Sequence, residues 1–108
     1  MIRLLYFSTA RAGMTRDEVA EITRHAAAAN RENGITGALA FNSRNFCQVL
    51  EGEEEVVRAL VDKIRGDARH SGFKVLDEKR IETRHFPDWS MFLVDDLDFS
   101  RVINAMAS

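Results

Sequence analysis

The sequence predicts an α+β fold of the ferredoxin-like kind, β-α-β-β-α-β-β, with two helices on one face of a mixed sheet. Three observations carry this. Residues 2–8, IRLLYFS, form a short apolar run of strand length. Two segments repeat their apolar residues with helical period, the first opened by Thr15-Arg16-Asp17-Glu18 and the second by Gly52 and three glutamates. The remaining apolar runs are short and punctuated by Asn, Gly and Pro, as strands are.

In the first strand, Ile2, Leu4 and Tyr6 share one face and Arg3, Leu5 and Phe7 the other, which suits a central strand covered on both sides. The Thr-x-x-Glu capping box then starts a helix at Thr15 that runs to about Glu32 and stops at Asn33-Gly34. On it, Val19, Ile22 and Ala26 lie on one face, and Asn30, eleven residues after Val19, returns to within roughly 20° of it. Thr36–Phe41 and Phe46–Glu51 are strands joined by the hairpin loop NSRN. Gly52 opens the second helix, with Glu53–Glu55 in its first turn and Lys63 and Arg65 in its last, an order that complements the helix dipole. Val56, Val57, Leu60, Val61 and Ile64 form its buried stripe, and Gly66 ends it. Phe73–Arg84 is a polar-rich strand or bulged edge, Pro87 a turn, and Trp89–Val94 a last short strand. The domain is expected to span 1–94, followed by a tail over 95–108 with weak helical period.

Composition removes several classes of function. The chain has 108 residues, 45% of them hydrophobic and 30% charged, and a net charge of −2. That is one ordinary globular domain without the basic footprint expected of a nucleic-acid or anionic-membrane binder. No apolar run approaches the ~20 residues of a membrane span, and the N-terminus lacks a signal-peptide core. A cytoplasmic location is expected. One cysteine, Cys47, allows no internal disulfide and no cysteine-based metal site. Neither His70 nor His85 has an HxH or HxxxH partner, so no metal is expected. Cys47 has no neighbouring histidine, so it is not read as a nucleophile.

The informative residues are Tyr6, Asn30 and Gln48, each polar where periodicity predicts burial. Gln48 lies on the face of Phe46 and Leu50, where an unsatisfied amide is costly. The first and third strands are neighbours in this fold and the first helix covers them. The three groups therefore converge on one interior slot, the kind of cavity that takes a flat heterocycle.

Taken together, LLYFS, NRENGITGAL, FCQVLEG, RGDARHSGF and FPDWSM resemble, in order, the motifs of the BLUF domains, sensors of blue light using flavin. The resemblance covers residues 2–94. It implies a non-covalent flavin between the two helices, usually FAD, with FMN as the alternative. It assigns the photochemical tyrosine to Tyr6, the switching glutamine to Gln48 and a ring-binding asparagine to Asn30. Ile22, Phe46, Asp67, Arg69 and His70 fall on positions that line the flavin, and Trp89 and Met91 match the pair proposed to carry the signal outward. Ala29 stands where the family often has Asn or His, so one flavin contact is expected to be missing. No turnover of its own is implied; either signalling runs to a separate, unidentified protein partner or the chain is an isolated or truncated sensor domain, and a homo-oligomer is plausible for small members. Two alternatives stand beside it: an acylphosphatase-type hydrolase using Arg11 and Asn42, which lacks a phosphate-cradling loop, and an interaction module that binds no flavin.

Overall fold

The structure is a computed structural model that describes residues 1–87, 92–94 and 99–107, without the side chains of residues 92–94 and 101. Strand β1 (Ile2–Ala10) is followed by helix α1 (Arg16–Asn33), strands β2 (Thr36–Phe41) and β3 (Asn45–Gly52), and helix α2 (Glu54–Arg65). Strands β4 (His70–Arg80) and β5 (Phe92–Val94) come next, then helix α3 (Ser100–Ile103) and a 3-10 turn over Asn104–Ala107. The sheet order is β4-β1-β3-β2-β5. Its first four strands are antiparallel and β5 runs parallel to β2, so the sheet is mixed, as expected.

Local chemistry explains the helix limits. Thr15 is the N-cap of α1, its hydroxyl accepting from the Glu18 amide at 3.1 Å, and Gly34 closes the helix in the left-handed conformation at φ 70°. The second helix starts later than the sequence suggests. Gly52 still pairs with Ile2 in β3, and Glu53 is the N-cap. The hairpin loop is also tighter than NSRN, because Asn45 already belongs to β3 and Asn42 Oδ1 accepts from the amides of Arg44 and Asn45. Strand β4 is displaced toward the N-terminus, starting at His70 and ending at Arg80 rather than running from Phe73 to Arg84. Its shifts of register against β1, after Leu5 and after Phe7, are the expected bulges.

Both faces of the sheet are covered. Toward the helices, Ile2, Leu4, Tyr6, Leu50, Val57 and Val61 form one cluster, and Met14, Val19, Leu39, Phe41 and Phe46 another. Each such side chain contributes about 1.5–3 kcal/mol by leaving water. On the opposite face, Leu5, Ala38, Ala40, Cys47 and Val49 pack against Phe86, Val102, Ala105 and Met106. The C-terminal segment is thus docked, and Cys47 lies beneath it. Glu51 does not end β3. It is fully buried and bonded to Arg3, a pairing that strand alternation alone does not reveal.

Candidate flavin site

The site lies where α1 and α2 stand over β1 and β3. Tyr6 and Gln48 are partners on one rung of the β1–β3 ladder, and Leu39 faces Gln48 from β2. The Tyr6 hydroxyl donates to Gln48 Oε1. The Tyr6 ring stacks on Phe73 of β4 at 4.7 Å between centroids, which fixes the phenol against the amide. Burial, reinforced by the Cys47 and Asp67 charges, holds the phenol well above its ordinary pKa of 10.0. The hydroxyl is therefore a hydrogen-bond donor at any physiological pH.

Above this pair, a cleft of about 350 Å³ opens between the helices. That is within the ~300–1,000 Å³ usual for small-molecule sites. Its α1 wall is Ile22, His25, Ala26, Ala29 and Asn30, and its α2 wall is Leu60, Lys63 and Ile64. Leu39, Phe46 and Gln48 form the floor. Asn30 is buried in the last turns of α1, where its own carbonyl accepts the Ile35 amide at 2.9 Å.

The segment after α2 closes one end. Asp67 binds Arg69 through its side chain and amide, with Nε at 3.0 Å from both carboxylate oxygens. The Arg69 guanidinium draws the Asp67 carboxyl down to about 2. His70 joins β4 to the rest of the site. Its Nδ1 lies 2.8 Å from the buried Ser8 hydroxyl, and its Nε2 meets the Ile64 carbonyl at the end of α2. Because a carbonyl only accepts, Nε2 donates to Ile64.

Tyr6, Ile22, Asn30, Phe46, Gln48, Asp67, Arg69 and His70 thus all line one cleft. Trp89 and Met91 lie outside the described residues. His25 and Lys63 at the mouth, and Ala29 as part of the wall, join the site beyond the residues that the sequence singles out. The signal was nonetheless there: 22, 25, 26, 29 and 30 share one face of α1, and 60, 63 and 64 one face of α2. No cluster of three metal-ligating side chains occurs among the described residues, and no helix there is long and apolar enough to cross a membrane.

A largely apolar slot with amide and phenol groups at its floor suits an aromatic heterocycle carrying donors and acceptors on one edge, as an isoalloxazine does. Fold and site together define a module that holds a planar, hydrogen-bonding ligand between two helices and a sheet. The sequence profile of the sensors of blue-light using FAD matches residues 1–92. The chain belongs to that family of flavin-binding blue-light sensors.

Relatives agree. A photoactivated adenylate cyclase subunit alpha-like protein of Euglena gracilis is 46% identical over 70 residues, which is 65% of this chain and 7% of that protein. The chain spans less than a tenth of the cyclase subunits it matches. Among solved structures, the dark state of the BLUF protein BlrB superposes with a TM-score of 0.84 at 29% identity, covering 99% of this chain and 83% of BlrB. Klebsiella pneumoniae BlrP1, solved with FMN and cyclic diGMP, gives a TM-score of 0.81 at 32% identity over 87% of this chain and 25% of BlrP1.

Proposed function

We propose that this domain senses blue light through a Tyr6–Gln48 hydrogen-bond switch beneath a bound FAD and passes the signal to a protein partner. The observation that carries the reading is the buried Tyr6–Gln48 bond on the floor of the cleft. A flavin held there would supply absorption of blue light and, once excited, a stronger electron acceptor. The chain's own residues do the rest. Tyr6 presents a neutral phenol whose proton points at Gln48 Oε1. Gln48 offers a donor and an acceptor in one uncharged group, so it can exchange the sense of its bonds without burying a charge. In the low-dielectric floor such an exchange weighs more than it would in water.

Asn30 would hydrogen-bond the ring, and Ile22, Phe46, Asp67, Arg69 and His70 would line the ring or the side chain of the flavin. FMN would occupy the same slot, as its presence in the similar BlrP1 suggests. The light-sensing unit is assigned to residues 1–94, with Trp89 and Met91 as the route outward and 95–108 as an appended tail. Self-association into a homo-oligomer belongs to the same reading.

The test is the visible absorbance of the purified protein. A flavin spectrum that moves to the red under blue light and recovers in the dark is the expected result. Gln48→Leu should keep the flavin and lose the shift. A protein that cannot be loaded with FAD would overturn the reading and leave an interaction module without flavin.

A further inference from the structure

Three rungs along the β1–β3 ladder from Tyr6–Gln48, and on the opposite face of the sheet, Arg3 is paired with Glu51. The two side chains are 3% and 0% exposed, and Arg3 Nε lies 2.8 Å from Glu51 Oε2. Light sensing as described makes no use of these buried charges. Besides a contact from Thr36 Oγ1 of β2 to Glu51 Oε1 at 3.5 Å, they bond to the segments that cover this face of the sheet. Glu51 accepts from the amides of His85 at 2.7 Å and Phe86 at 2.8 Å, and Arg3 Nη1 donates to the Ala105 carbonyl at 3.0 Å. One ion pair therefore joins β1 and β3 to the 83–86 loop and to the last turn of the chain. Buried pairs of this kind add little net stability over apolar packing, but removing one partner is severe. What they do supply is a defined position for the segments they join.

We propose that Arg3 and Glu51 are positioning residues. They latch the 99–107 segment onto the back of the sheet and couple its closure to the state of Tyr6 and Gln48. The coupling follows from connectivity: the front and back pairs sit on the same two strands, so a sliding of β1 against β3 that re-pairs Gln48 also displaces Glu51. The coupling, though not the latch itself, rests on the light-sensing reading above. Cys47 reports on the latch. It is the sole cysteine, it is fully buried among Val102, Ala105 and Met106, and its side chain points away from the flavin cleft.

The experiment is the rate of Cys47 alkylation in the flavin-loaded protein, in the dark and under blue light. The double variant Arg3→Met with Glu51→Gln leaves no orphaned charge. It should label roughly tenfold faster than wild type in the dark, the effect of ~1.4 kcal/mol of lost tethering. In wild type, light should accelerate labelling. In the double variant light should add nothing, although the red shift persists, which a merely structural role would not produce. Arg3→Lys serves if the double variant does not fold. It keeps the charge but not the fork that reaches both Glu51 and Ala105, so it too should label faster in the dark. Dark rates equal to wild type in a folded variant would overturn the latch. Wild-type labelling indifferent to light, with the red shift present, would overturn the coupling. A wild type without any red shift refutes the receptor reading and the coupling with it, while the dark comparison still decides the latch.

Discussion

The Tyr6 hydroxyl donates to Gln48 Oε1 across one rung of the β1–β3 ladder, at the floor of the cleft between α1 and α2. Tyr6→Phe keeps the ring on Phe73 and removes only the hydroxyl. We expect flavin to remain bound and the light-induced shift to vanish. Urea unfolding should register a loss of about 0.5–1.5 kcal/mol, because the buried bond from Tyr6 to Gln48 Oε1 is removed. A normal red shift in this variant would remove Tyr6 from the switch.

Tyr6 is the only tyrosine, so alkaline titration reads it directly. Burial raises its folded-state pKa above the unfolded value of 10.0. The neutral phenol therefore contributes stability that is complete below pH 10 and is lost as pH rises further. Cys47 acts in the same sense at lower pH: burial lifts its thiol from 9.0 to about 11, and its contribution fades as pH climbs through that window. Ultraviolet titration should show tyrosinate appearing only with unfolding. Ionisation near pH 10 in the folded protein would contradict the buried, proton-holding phenol.

Asn30→Ala tests the α1 side of the cleft. Loss of one hydrogen bond to the ring, about 0.5–1.5 kcal/mol, should weaken flavin binding by up to roughly tenfold. Helix α1 should persist, since its end is set by Gly34 and by the Asn30 carbonyl rather than the amide. Flavin titration by fluorescence quenching measures the first effect and circular dichroism the second. Unchanged affinity would exclude Asn30 from the ring contact.

Gly37→Ala tests the ladder that carries Gln48. A Cβ at Gly37 would stand 2.0 Å from the Val49 carbonyl oxygen, a backbone atom that cannot turn away. The β2–β3 pairing must shift, at a cost of about 1–3 kcal/mol or more. Thermal unfolding should show it, together with a weakened light response, because Val49 adjoins Gln48. An undiminished melting temperature would mean that β2 is free to move.

Much of this architecture is local and so was legible in the chain. The Thr15 N-cap, the Gly34 stop, the alternation of β1 and the stripe of α2 each depend on neighbours within a few residues, and each formed where expected. Tyr6, Asn30 and Gln48 were conspicuous for a related reason: a polar group at a position whose period demands burial needs a partner. Only the tertiary structure could supply the partners. The rung that sets Tyr6 opposite Gln48 depends on strands forty-two positions apart in sequence. Strand β4 ends at Arg80 rather than Arg84, and past it the amides of His85 and Phe86 bond Glu51; nothing within that segment foretells a carboxylate from β3. Alternation puts Arg3 on the face of Leu5 and Phe7, but it gives the face of a residue and not what covers it. The C-terminal segment covers that face, and with it decided that the two charges are buried and Cys47 enclosed.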